Sequence, residues 1–170
     1  MKNTVLKYGI IAGAIVSIFM IVTMPLMDEN SDIKHSKILG YTVMLVAMSM
    51  IFIGVRSYRN NQLNGVMSFG KAFVLGLYIA LIASTMYVIS WMLLSEFVVT
   101  DFMEVYWNSS VEQLQSSGLS QAEIDAQLEQ MKSWMEMYKN PLVKFFITYM
   151  EILPVGILVS LVSAFILKKK

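Results

Sequence analysis

Four apolar runs, each about as long as a bilayer crossing, limit what this chain can fold into: roughly Val5 to Met24, Ile38 to Val55, Ala72 to Leu94 and Thr148 to Leu167. About 20 apolar residues in helical form span a hydrocarbon core. Lipid offers an unpaired backbone group no partner, so a run of this kind must close its hydrogen bonds internally. Of the 170 residues, 56% are hydrophobic, where a soluble domain is usually nearer about 45–50%. The excess sits in the four runs. The expected fold is therefore all-α: a four-helix transmembrane bundle forming a single membrane domain over residues 1–170.

The charges between the runs set a topology. Lys2 and Lys7 flank the start of the first run, which resembles a signal peptide, but no small-x-small cleavage site follows before Pro25, so it reads as an uncleaved span. The loop from Leu26 to Lys37 mixes Asp28, Glu29 and Asp32 with Lys34 and Lys37, and its His35 reads as a solvated loop histidine, with a pH-sensing role the lesser alternative. Arg56 to Lys71 carries Arg56, Arg59 and Lys71 and no acid, with a turn marked by Asn60, Asn61, Asn64 and Gly65. Lys168, Lys169 and Lys170 close the chain. Cytoplasmic segments are the ones rich in Lys and Arg. Both termini and the Arg56–Lys71 loop are accordingly expected in the cytoplasm.

Every run carries small residues at helical spacing: Gly9, Gly13 and Ser17; Gly40, Ala47 and Gly54; Gly76, Ala80 and Ser84; Gly156, Ser160 and Ala164. Small residues let helix backbones approach closely in lipid. A compact bundle follows, with the choice between seams inside one chain and seams between chains of a homo-oligomer left open.

Residues 95–140 are different in kind. Eight acids stand against Lys132 and Lys139, too polar to span. Phe102, Met103 and Tyr106 suggest that the third helix runs on beyond the membrane, and Gly118 marks a stop. Ser120 to Glu123 fits a capping box, in which the two side chains satisfy free amides at a helix start. Ile124, Leu128, Met131, Met135 and Tyr138 then recur at three- and four-residue steps, an amphipathic helix. An extramembrane helical hairpin is expected between spans three and four. Its stripe packs on the hairpin's own first arm or, alternatively, forms a contact surface for a partner or for lipid headgroups. Asn108-Ser109-Ser110 matches a glycosylation pattern, taken as chance.

Glu151 is the one acid within a span, three residues before Pro154. A charge at mid-bilayer costs a few kcal/mol, less near an interface, and Glu151 falls about one turn inside the boundary near Thr148. Its structural reading has the carboxylate accept hydrogen bonds from the same end of other spans, at Tyr41, Thr42, Tyr87 or Ser90, with a Pro154 kink turning it inward. Its functional reading is a protonatable site for an ion or cationic ligand in an outward vestibule lined by Glu151, Tyr87 and Trp91.

Composition excludes much else. With no cysteine and one histidine, thiolate, iron–sulfur and multi-histidine metal sites are out; the 15 methionines are scattered, so no metal or other cofactor is expected. No His-Glu-x-x-His, Gly-x-Ser-x-Gly or phosphate-loop motif occurs, so no enzyme is expected. The basic clusters are small and juxtamembrane, which argues against nucleic acid. The expected partners are the bilayer, a membrane or envelope protein, or a second copy. The expected function is a non-enzymatic envelope protein acting through protein or lipid contacts, the alternative a small ion- or proton-coupled transport component using Glu151.

Three stretches taken together, GVMSFGKAFVLGLYIALIASTMYVISW, GLSQAEIDAQLEQM and EILPVGILVSLVSAFILKKK, resemble the bacterial membrane protein family known as domain of unknown function 4199. The resemblance covers almost the whole chain. It implies a four-helix integral membrane protein of a bacterial cell envelope and implies no activity, so no catalytic residues follow from it; with the charge pattern, the expected location is the bacterial inner membrane.

Overall fold

A computed structural model describes residues 1–24 and 33–169, with backbone alone for 33–37. The His35 side chain, the acids of the first loop and Lys170 therefore lie outside the described residues. Among the described residues six helices follow in order: α1 (Lys2–Thr23), α2 (Ile33–Gln62), α3 (Phe69–Phe97), α4 (Phe102–Gln115), α5 (Gln121–Tyr138) and α6 (Pro141–Leu167). Among the described residues, the one strand-like feature is an antiparallel bridge between Met67 and Lys169.

Four of the helices, α1, α2 from Ile38, α3 and α6, are long and apolar enough to cross a membrane. They are apolar inside and out. Met48, Leu75 and Ile79 are fully buried, while Ile18, Leu45, Leu158 and Phe165 are more than half exposed. Water would penalise so large an exposed apolar surface; hydrocarbon does not.

The small-residue seams are filled from within the chain. A Cβ on Gly9 would meet Ile82 at 2.8 Å, and one on Gly13 would meet Met86 Cβ at 2.8 Å, so α1 sits directly on α3. On the other side α3 and α6 interlock antiparallel: Gly76 faces Ser160 at 3.0 Å, and Gly156 faces Ala80 at 2.7 Å. Without a hydrophobic drive between helices in lipid, such close van der Waals contact is what holds them. In α2, Ala47 and Gly54 are buried, Gly54 against Ile79 and Tyr8, but Gly40 is only half-buried and has no such neighbour. The expected α2 seam is thus used over part of its length. Side-chain hydroxyls add further links. Ser160 Oγ donates to Gly156 O at 2.7 Å, and Tyr149 Oη shares a 3.0 Å hydrogen bond with Thr85 Oγ1 across α3 and α6.

Both described ends of the chain meet the α2–α3 turn. The Met1 amine donates to Gln62 Oε1 at 3.4 Å, and Met67 and Lys169 exchange backbone hydrogen bonds. Arg59 Nη1 donates to the Leu167 carbonyl at 3.2 Å, a cation placed on the free carbonyls at the end of α6. The turn is tight because Asn64 and Gly65 take φ of 50° and 83°, values that Asn tolerates and Gly adopts freely. This is the basic end of the molecule.

The acidic end carries the hairpin. The third helix does not run on through Phe102. It stops at Phe97, the chain breaks over 98–101, and α4 starts afresh with Asp101 as its N-cap. Gly118, at φ 75°, turns the chain between α4 and α5. The capping box forms at the start of α5, where Glu123 Oε2 accepts the Ser120 amide at 2.9 Å and the Ser120 hydroxyl at 2.7 Å. Lys132 lies 5.5 Å over the Trp107 ring, joining the two arms. Asn140 then caps α6 by accepting from the Leu142 amide, with Pro141 in the first helical turn, where a missing N–H costs nothing.

Candidate functional site

The start of α6 sets the register of the acidic end. Lys144, Thr148 and Glu151 recur at four- and three-residue steps, so they share a helix face. On α3 the pair Tyr87 and Trp91, both buried, sits one turn apart. Tyr138, the last residue of α5, falls between the two helices and ties them. Its hydroxyl accepts from Trp91 Nε1 at 2.6 Å and lies 3.5 Å from Thr148 Oγ1, which donates to its own helix at Lys144 O. Lys144 Nζ reaches Ser95 Oγ at 3.2 Å and stands 5.7 Å over the Tyr138 ring. Phe102 meets the Trp91 ring edge-on at 4.8 Å, so α4 joins the same cluster. The hairpin is fastened to the membrane helices through this knot of aromatic and hydroxyl groups.

Beneath the hairpin lies a cavity of about 500 Å³. Its apolar wall comes from α1 and α2, including Val16, Met20, Val43 and Met44; its polar side comes from Tyr87, Tyr138, Thr148 and Glu151. Among the described residues no Lys, Arg or His lines it. A second, more open groove of about 780 Å³ runs between α4, α5 and α6. Phe102, Tyr106, Tyr138 and Glu151 border both spaces, so the carboxylate is reached from two sides. Burial raises the Tyr138 phenol above its ordinary range; the hydrogen bonds to Thr148 and Trp91 pull it back, and the negative charge of Glu151 raises it further. The phenol thus stays a neutral donor and acceptor beside the carboxylate.

Three of the four residues expected around the intramembrane carboxylate come together here: Glu151, Tyr87 and Trp91 all line the cavity. Pro154 does not; it is exposed on α6 and lines neither space. Of the other residues named for Glu151, Tyr41 lines the cavity, Ser90 does not, and Thr42 turns its hydroxyl back to Ile38 O. The α5 stripe faces the chain itself. Ile124 is buried, and Leu128, Met131, Met135 and Tyr138 are half-buried, the last three lining the groove. The large apolar side chains that α5 exposes are instead Trp134 and Met137. The helix-packing residues Gly9, Gly13, Gly76, Ala80, Gly156 and Ser160 all lie in buried seams. Sequence reasoning missed Phe102, Tyr106 and Asp101 as lining residues. The aromatic pair one turn apart at the start of α4 was the available signal.

Apolar helices long enough to cross a membrane, packed against one another and capped by an acidic hairpin, define a polytopic helical membrane protein. Residues 7–169 match the family described as "Protein of unknown function (DUF4199)", and the chain belongs to that family. No curated protein and no solved structure matches the chain.

Proposed function

We propose that the protein is a non-enzymatic, multi-pass component of a bacterial inner membrane, with both termini cytoplasmic, that acts through contacts with a protein or lipid partner made at its acidic end. The observation that carries this reading is the separation of charge. Lys2, Lys7, Arg56, Arg59, Lys71, Lys168 and Lys169 lie on the segments at one end, while residues 95–140 carry a net −6 at the other. Lys and Arg mark the cytoplasmic side, and an acidic face suits a basic or polar partner better than an anionic bilayer. Because the Ile124–Tyr138 stripe is turned inward, the contact surface in this reading is the exposed face of α5 around Trp134 and Met137.

The absence of cysteine makes a clean test available. A single cysteine at Ser117, on the hairpin, should react with a membrane-impermeant maleimide added to intact spheroplasts, and one at Asn61 should react only after lysis; the reverse pattern would sink the orientation. A photo-crosslinker in place of Trp134 should then yield one dominant adduct in native membranes. A ladder of unrelated adducts would count against a contact function.

A second reading, an ion- or proton-coupled transport component, is favoured by one observation: the cavity reaches Glu151. Proteoliposome flux that is unchanged in Glu151→Gln would remove it.

A further inference from the structure

We propose that the basic end of the molecule holds an anionic phospholipid, its phosphate among the side chains of Arg59, Lys71, Lys168 and Lys169 and its acyl chains along the exposed face of α6. The proposal is independent of the contact reading above, which concerns the opposite end.

Backbone geometry gathers these cations. Lys168 and Lys169 follow the last turn of α6 and do not trail away from the bundle. Met67 and Lys169 exchange backbone hydrogen bonds at 3.0 and 2.9 Å, which pins this segment onto the turn between α2 and α3. Lys71 stands in the first turn of α3, just beyond Met67. Arg59 enters from α2, with Nη1 on the Leu167 carbonyl at 3.2 Å. Three helix ends thus bring their cations to one corner. The contacts these side chains make are with neutral groups. Arg59 also donates to Asn60 Oδ1, Lys71 stands 5.9 Å over the Tyr58 ring, and Lys168 stands 4.3 Å over the Phe165 ring. Such contacts position a charge without cancelling it.

No acidic side chain opposes them, and the reason lies in the sequence. Asp and Glu are absent from residues 1–27, 33–95 and 152–170, which include every segment at this end. Like charges crowded together repel one another, and an anion seated among them relieves that repulsion. What adjoins the corner selects the kind of anion. Directly before the two lysines, Val162, Phe165 and Ile166 are more than half exposed, on a helix long and apolar enough to cross a membrane. A cluster of cations bordering exposed hydrocarbon suits a molecule with an anionic head and acyl chains; a small soluble anion would use only the head. Basic pockets between transmembrane helices on the cytoplasmic side bind anionic lipid headgroups in this way. Long Lys and Arg stems lie along apolar surface while their charged ends reach out to the phosphate.

The test uses the full chain in neutral detergent and counts bound lipid by native mass spectrometry. Phosphatidylglycerol and phosphatidylcholine with identical acyl chains are titrated in turn. The first phosphatidylglycerol should bind about tenfold or more tightly than the first phosphatidylcholine, and the preference should shrink with added salt. Lys71→Gln with Lys169→Gln should remove most of it, at about fivefold for each lysine. Lys2→Gln with Lys7→Gln removes the same charge from α1, whose N-terminal amine lies against Gln62, and should leave the preference in place. Lys71→Arg with Lys169→Arg should keep it as well, which separates loss of charge from loss of fold.

Equal affinity for the two lipids would overturn the proposal. Equal losses in the two glutamine pairs would do so too, since net charge alone would then account for the preference, as would loss of the preference in the arginine pair. Glycerol 3-phosphate, the headgroup phosphate without acyl chains, should fail to displace the lipid even in large excess. Displacement would overturn the lipid assignment in favour of a soluble phosphate.

Discussion

At Gly156 a single methyl group decides whether α3 and α6 meet. A Cβ there would stand 2.7 Å from Ala80 Cβ, closer than real carbon atoms approach. Gly156→Leu should force the helices apart and cost about 1–3 kcal/mol, the usual range for overpacking, read as a lower midpoint of thermal unfolding in detergent. Gly70→Ala is the control: an added Cβ meets nothing within 4 Å, and the change should leave the midpoint level or raise it slightly. Tyr138 is the other residue on which much turns. Tyr138→Phe leaves the buried Trp91 N–H without its acceptor, a loss of about 1–3 kcal/mol, visible as altered indole fluorescence. The pH dependence follows from the same group. Its phenol is held above the ordinary range by burial, so its contribution to stability is full below the unfolded value of about 10 and disappears as pH rises through the higher folded value. Alkaline titration should loosen the hairpin in the native chain, and that step should be absent in Tyr138→Phe.

At the scale of elements, the hairpin is where sequence reasoning was both strongest and weakest. The start of α5 was legible residue by residue, because Ser120 and Glu123 need only local geometry to find each other. The break between α3 and α4 was not. Phe102, Met103 and Tyr106 continue the apolar pattern of α3, and nothing local distinguishes a helix that carries on from one that ends at Phe97 and restarts. The stripe of α5 was legible as a stripe, but what covers it depends on how the hairpin folds back, which periodicity does not encode. The Ser120 hydroxyl and amide hold the Glu123 carboxyl below its ordinary value. Its contribution is therefore present above the unfolded carboxylate range and lost as pH falls through the folded value. The protection of the amides at residues 121–124, measured against their intrinsic exchange rates, should fall on acidification, and Ser120→Ala should bring the same loss of protection at neutral pH.

For the whole molecule, the four membrane-crossing helices were the most legible feature, since apolar length is a property of the chain and not of its partners. The small-residue spacings were legible too, but not their pairing. That Gly76 meets Ser160 while Gly156 meets Ala80 follows from the antiparallel register of two helices separated by the entire hairpin. The cavity was half legible: Glu151, Tyr87 and Trp91 could be placed at one depth, whereas Asp101 and Tyr106 join them only because α4 turns back. In the orientation proposed above, the basic residues of the α2–α3 turn hold the molecule in place. Replacing Arg56, Arg59 and Lys71 together with Gln should give a mixture of orientations, measured as partial labelling of a cysteine at Ser117 from outside.

The interlock of α3 with α6 also bears on how the protein is made. A ribosome delivers α3 well before α6, and in between it must deliver all of α4 and α5. Throughout that interval the notch at Gly76 and Ala80 has acyl chains or an insertion factor against it and no matching helix. A nascent chain halted before α6 is thus an orphan, with the notch on α3 that α6 fills still uncovered.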